Sequence, residues 1–281
     1  MNYQIEYAWF CHGGNVRPNN EDNVWIQGVL LPMEHEGGEK ISQGTLMVHD
    51  GPVVGVFDGM GGESCGEAAS FIGAKSLGDS VQELSPLQRE KPADFLKEAC
   101  NRMNQDVLNF ASDNRIRTMG STVALAAFGE NEIGVGNLGD SRIYSLFQGK
   151  WEQVSEDHVL SRSLFGKAPL TQYLGLPQDE MVLEPHIACV PYREDLRLLL
   201  CSDGVTDMIS SRRLRDLMGG ENCAVVAESL LKEGLQAGGR DNLTAVVIRV
   251  LSGEMEGNLK PKHVPWYARF FSWGFGKEKN S

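Results

Sequence analysis

Carboxylates in this chain stand where apolar runs stop. Asp58 follows PVVGVF and opens into Gly59, Met60, Gly61 and Gly62. Asp140 follows EIGVGNLG, and Asp203 follows LRLLLCS. Glu21 and Asp22 lie in NNEDN, Asp207 stands four residues after Asp203, and Asp241 lies in GRDN. A carboxylate at the end of a buried strand is costly unless it is hydrated, paired or bound to a cation. Several such acids brought together would repel one another, and a hard divalent cation held by oxygen removes the repulsion. Mg²⁺ and Mn²⁺ take carboxylates, backbone carbonyls and waters in octahedral geometry. Asp58 can supply a carboxylate and Gly59 a carbonyl, while the glycines let the backbone approach the ions. Any single Asp-Gly reads as an ordinary turn. The metal reading rests on the order and spacing of all these acids along the chain.

The elements that must position them are legible from periodicity. Strands are expected over residues 3–10, 23–31, 45–49 and 53–57, with a mobile hairpin loop over 32–44. Helices are expected over 66–84 and 93–112. In the second, Leu96, Ala99, Met103, Val107 and Ala111 line one face. STVALAAF, EIGVGNL, SRIYSLF and WEQV read as strands. The QGK link between the last two is too short for a crossover, so 142–147 and 151–154 must pair antiparallel. LRLLLC over 196–201 reads as a strand buried on both faces, followed by helices near 211–218 and 222–236 and a final strand over 243–250. Strand runs and helix runs are segregated, which predicts an α+β fold with antiparallel sheets covered by helices.

Composition excludes several classes. The 281 residues carry a formal net charge of −12, which argues against nucleic acid as a partner. Six cysteines are scattered with no CxxC pair, as expected of buried thiols in a reducing compartment rather than a disulfide framework. The first residues carry Glu6 and no positive n-region, so no signal peptide is read there and a cytoplasmic location is expected. No apolar run approaches a membrane span.

Taken in order, NVRPNNEDN, VFDGMGG, GSTVALA, NLGDSRIY, SEDH, LLLCSDGVTD and GRDNLTAVVI resemble the PP2C family of metal-dependent protein serine/threonine phosphatases, bacterial type. The resemblance covers about residues 3–250. It implies a four-layer α-β-β-α sandwich, two antiparallel sheets flanked by helix pairs, and a dinuclear Mn²⁺ or Mg²⁺ centre. By resemblance, Asp58 bridges both metals with the Gly59 carbonyl on one. Asp203 and Asp241 are ligands of the first metal, and Glu21 holds the second, partly through water. Asp22 is a direct or second-layer carboxylate. Asp140 and Asp207, with Asp203, resemble the acids of a weaker third metal. Arg17 stands where the family places its phosphate-binding arginine, and Asn242 is expected to hold the Asp241 loop. The implied reaction is attack by a metal-bridging hydroxide on the phosphate of phosphoserine or phosphothreonine, with no phospho-enzyme. Phosphorylated proteins, the substrates of Ser/Thr kinases, are the implied partners. The alternatives are a pseudophosphatase that keeps the fold as a binding module, and a phosphatase dedicated to one regulatory protein.

Two departures from the family stand out. Met60 replaces a histidine that many eukaryotic members use near the leaving group, and methionine cannot donate a proton. A metal-bound water is then the expected donor, ahead of His12 or His158. The segment between His158 and Leu174 is short and holds no acid, so a third metal is expected to bind weakly. Beyond residue 252 the composition changes. Lys260, Lys262, Arg269, Lys277 and Lys279 accompany Trp266, Tyr267, Phe270, Phe271 and Trp273. This defines a phosphatase-like domain over 1–252 and a basic aromatic tail over 253–281. The tail is expected to fold back on the acidic body, with docking on a partner or an anionic membrane surface as alternatives.

Overall fold

The computed structural model describes residues 3–60, 65–83, 91–160, 168–177 and 181–252. Gly61, Gly62, the middle of the short segment after His158, and the whole tail therefore lie outside the described residues. The strands are β1 (Gln4–His12), β2 (Asp22–Ile26), β3 (Val29–Leu30), β4 (Ser42–Met47), β5 (Val53–Met60), β6 (Gly120–Ser121) and β7 (Val123–Phe128), then β8 (Glu132–Leu138), β9 (Arg142–Phe147), β10 (Lys150–Gln153), β11 (His186–Pro191), β12 (Arg197–Cys201) and β13 (Leu243–Leu251). The helices are α1 (Gly66–Glu83), α2 (Pro92–Asp113), α3 (Asp203–Met208), α4 (Ser211–Met218) and α5 (Cys223–Gln236).

Two antiparallel sheets form the centre. One runs β10-β9-β12-β13-β1-β4, the other β11-β8-β7-β5-β2-β3, with β6 paired to β5. Alternation along each strand sorts side chains between layers. Val54 and Val56 of β5 meet Leu198, Leu200, Val246 and Ile248 between the sheets. Val53 and Phe57 turn the other way, against Leu77 of α1 and Leu96 and Met103 of α2. Leu199 and Cys201 of β12 pack under Val226 and Leu230 of α5. Each central strand is buried on both faces, which is why LRLLLC and PVVGVF read as unbroken apolar runs. The result is the four-layer α-β-β-α sandwich of two antiparallel sheets flanked by helices.

The stretch 23–31 is not one strand. Gln27 and Gly28 both take positive φ, 45° and 89°, and that pair folds β2 back onto β3 as a tight hairpin. The expected hairpin loop over 32–44 is also different. β3 and β4 belong to different sheets, and the segment between them lies against the end of β1. Gly13 N donates to Glu36 O at 3.1 Å and Gly38 N to Cys11 O at 2.9 Å. His35 Nε2 lies 2.9 Å from Asp22 O. The backbone groups of this excursion find partners on the sandwich instead of solvent. β11 and α3 had no sequence signal strong enough to predict them. β11 is an edge strand ending in Pro191, and α3 is too short to show a helical period. All six cysteines are free, but Cys189 is exposed on β11 rather than buried. Among the described residues, no helix is long and apolar enough to cross a membrane.

Candidate active site

Two paired strands lay the first acids side by side. Asp22 of β2 stands opposite Asp58 of β5, and Gly59 N donates to Glu21 O at 3.0 Å. A Cβ on Gly59 would lie 2.1 Å from Gly66 O and 2.6 Å from Glu21 O, so this crossing admits only glycine. The Asp58 carbonyl is held from the far side by Thr122 N at 2.8 Å and Ser121 Oγ at 3.1 Å.

The last acids arrive from the other sheet. Asp203 opens α3 directly after β12, and a Cβ on Gly204 would lie 1.9 Å from Asn242 O. The start of α3 and the Asp241–Asn242 turn are therefore in backbone contact. Asn242 ties that turn to the Glu21 loop. Its Oδ1 accepts from Glu21 N at 2.8 Å, and its Nδ2 donates to the carbonyls of Gly13 and Asn19, both at 3.0 Å. Ser202 Oγ donates to Asp22 Oδ2 at 2.8 Å. The bonds of Asn242 and Ser202 cross between the two sheets.

Arg17 completes this end of the sandwich. Its guanidinium is half exposed and donates to Asp241 Oδ2 at 2.7 Å. That hydrogen bond raises its proton affinity further, and Glu21 and Asp58 add attraction, so it is a permanent cation. Asp140 approaches by a separate route. Its neighbour Ser141 shares a 2.6 Å hydrogen bond with Thr122 Oγ1, and Thr122 is the residue that holds the Asp58 carbonyl. Asp207 lies exposed one turn beyond Asp203 on α3.

Burial and crowding set the charge state. Asp22 is 1% exposed. Burial pushes its carboxyl up to about 7, against hydrogen bonding from the Thr244 and Ser202 side chains and with help from Asp241 and Glu21. Glu21 is raised as well, first by burial and then by Glu67. Burial and neighbouring acids therefore both favour the neutral carboxyl at these two positions. Arg17, Glu21, Asp22, Asp58, Gly59, Asp203 and Asp241 thus share one end of the sandwich through their backbones. Their side chains do not converge on one point. Among the described residues no three acidic, imidazole or thiol side chains stand within reach of a single ion. The donor chemistry nonetheless fits one kind of ion. Every candidate ligand is a carboxylate or a backbone carbonyl, the set a hard divalent cation takes. The nearby Cys11 is buried, and burial pushes its thiol up to about 12, so it offers no thiolate.

Comparison with known proteins places this architecture. A profile of the family described as protein phosphatase 2C matches residues 44–238. The chain belongs to the protein phosphatase 2C family. It is 27% identical over 249 residues to the serine/threonine phosphatase stp of Listeria welshimeri, covering 84% of this chain and 92% of that one. It is 29% identical over 219 residues to protein phosphatase PhpP of Streptococcus pneumoniae, covering 71% and 86%. Among solved structures, PppA, described as a key regulatory component of T6SS in Pseudomonas aeruginosa, superposes with a TM-score of 0.69 at 26% identity, covering 88% of this chain and 98% of that one. The catalytic domain of PstP, crystallised with two manganese ions, shares the fold with a TM-score of 0.70 at 24% identity, covering 89% and 100%.

Both histidines weighed as proton donors are engaged with backbone. His12 Nδ1 accepts from Gly14 N at 2.9 Å and His158 Nδ1 from Gly139 N at 3.2 Å. The described ends of the short segment after His158 are tied down: Val159 bridges Leu170, and buried Asn104 accepts from Gly175 N and Leu176 N at 2.7 and 2.9 Å. Sequence reading named the acids but missed Ser202, His35 and Asn104. Their partners lie far away in the chain, and only the position of Ser202, between an apolar strand and Asp203, hinted at a role.

Proposed function

We propose that this phosphatase hydrolyses phosphoserine and phosphothreonine on proteins, with two Mn²⁺ or Mg²⁺ ions held by Glu21, Asp58, Gly59, Asp203 and Asp241. The observation that carries this reading is the meeting of Arg17 with the acids of both sheets. The carboxylates make a place for divalent cations, and Arg17 beside them adds the positive charge that a phosphate dianion needs. The relatives named serine/threonine phosphatases, and the manganese in PstP, support the substrate and the cofactor. Bound there, the ions supply an acidified water for attack and positive charge for the phosphate oxygens. Asp140, Asp203 and Asp207 would be the acids of a weaker third ion.

The chain's own residues then have separable tasks. Arg17 exchanges Asp241 for two phosphate oxygens, which its planar fork matches. Asp22, buried behind the ligands, orients what lies in front of it by accepting a hydrogen bond. Asn242 keeps Asp241 in register with Glu21. With methionine at 60 unable to donate a proton, the leaving oxygen takes its proton from water.

The deciding assay is p-nitrophenyl phosphate hydrolysis with Mn²⁺, with Mg²⁺ and with EDTA, then a phosphoserine peptide. Turnover should require metal, stop in EDTA and return with excess Mn²⁺. Metal binding by calorimetry without turnover on either substrate would overturn the enzyme reading in favour of a binding module. Activity on the aryl phosphate but on no generic phosphopeptide would point to a dedicated protein substrate.

Arg17→Ala should raise KM for phosphate esters about tenfold or more while kcat changes little, because the contact is made in ground state and transition state alike. Arg17→Lys should not restore it, since an ammonium cannot span two oxygens. An unchanged KM would place the phosphate elsewhere. The tail over 253–281 lies outside the described residues and carries none of the acids named above. Its removal is expected to leave p-nitrophenyl phosphate turnover nearly unchanged. Under the fold-back reading the truncated protein melts lower, having lost buried aromatic area. Lost turnover in a still-folded truncation would show that the tail reaches the active site.

A further inference from the structure

We propose that Ser202 is a positioning residue of the metal centre, whose hydroxyl fixes the orientation of the buried Asp22 carboxyl. The inference rests on the metal-dependent reading above. Ser202 is fully buried, at 0% exposure. Its backbone N–H donates to Thr244 O at 3.0 Å, and its Oγ accepts from Thr244 N at 3.1 Å. Two bonds to β13 therefore hold Ser202 in place without any help from Asp22. Its one hydroxyl proton goes to Asp22 Oδ2 at 2.8 Å, so the ionised Asp22 carboxylate accepts.

The consequence concerns the plane of the carboxylate. With Oδ2 held by a hydroxyl that is itself anchored to β13, the Asp22 carboxyl is restrained from turning about its own axis beside the proposed ions. The backbone of Asp22 is pinned too, since its N–H donates to Asn20 Oδ1 at 3.1 Å. The Ser202-Asp203 pair would then serve two acids at once. Asp203 is a proposed ligand itself, while Ser202 reaches across to the opposite sheet and bonds Asp22. Partners of this kind around a metal site set affinity through geometry, and their loss commonly costs about 10–100-fold in metal affinity or activity.

The test is a cycle of Ser202→Ala, Asp22→Ala and the double variant in the full chain, titrated with Mn²⁺ by calorimetry, with Ser202→Thr as the conservative control. Ser202→Ala should weaken Mn²⁺ by about 10–100-fold, and Ser202→Thr, which keeps the hydroxyl, should stay within about threefold of wild type. In the Asp22→Ala background, Ser202→Ala should cost less than about twofold more, because its target is gone. KM for p-nitrophenyl phosphate at saturating Mn²⁺ should not move, since Arg17 is untouched. Wild-type Mn²⁺ affinity in Ser202→Ala would overturn the proposal, as would losses that multiply in the double variant or a raised KM with unchanged affinity. If Ser202→Ala does not fold, Ser202→Cys keeps the size with a weak donor; it should show the same loss of affinity, and wild-type affinity there would overturn the idea. Absence of turnover in the wild type would instead count against the phosphatase reading, and the Mn²⁺ affinities would still judge Ser202.

Discussion

Asp58→Asn and Asp203→Asn each reduce metal-dependent hydrolysis of p-nitrophenyl phosphate to near background, while circular dichroism stays that of the wild type. The expected loss is more than about 4 kcal/mol of transition-state stabilisation, roughly a factor of 10³ in rate. Asp58 stands opposite Asp22 across β2 and β5, and Asp203 opens α3 beside the Asp241 turn. They reach this end of the sandwich from different sheets, so neither is expected to substitute for the other. An amide retains the shape of the carboxylate but not the charge that holds a divalent cation. Without metal the variants should be no less stable than wild type, and they can gain stability, because one of several mutually repelling acids has gone. The measurement is kcat at saturating Mn²⁺ beside a melt in EDTA. Near-wild-type turnover in either variant would sink the metal assignment.

Gly204→Ala is expected to lower both stability and activity, although it adds one methyl group and no charge. The added Cβ would stand 1.9 Å from Asn242 O and 3.3 Å from Asp241 Cβ. Asn242 O is backbone, so no rotamer change can relieve the clash. The 241–242 turn must move, and through Asn242 it pulls on Glu21, Gly13 and Asn19. Overpacking at such a contact should cost about 3 kcal/mol. For a domain of this size that lowers Tm by roughly 6–12 °C. Activity should fall further than stability explains, because Asp241 is displaced relative to Asp203. A thermal melt and a Mn²⁺ titration on one preparation separate the two effects. A variant with wild-type Tm and wild-type Mn²⁺ affinity would show that the two turns are not in contact in solution.

The chain itself determined which residues could do the chemistry and which elements would carry them. Apolar runs ending in Asp58, Asp140 and Asp203 are local features, visible without any tertiary knowledge. So is the helical period of α2, whose predicted span of 93–112 became Pro92–Asp113, and the short link that forces β9 and β10 to pair. Segregation of strands and helices was enough for an α+β fold with helix-covered antiparallel sheets, because faces that bury apolar side chains at periods of two and of 3.6 need layers to cover them, while the four-layer sandwich came from the family resemblance. Tertiary structure decided the rest. The turn at Gln27–Gly28 and the excursion after Leu30 depended on positive φ and on distant backbone partners, neither of which leaves a period in the sequence. The pairing of Arg17 with Asp241 spans 224 positions, and the bond from Ser202 to Asp22 spans 180. Such contacts arise only when strand register brings two sheets to a common end. Residue types could nominate the acids, and the family resemblance Arg17 and a holding role for Asn242, but only the packing of one sheet on the other could say that Asn242 bonds the Glu21 loop and Ser202 bonds Asp22.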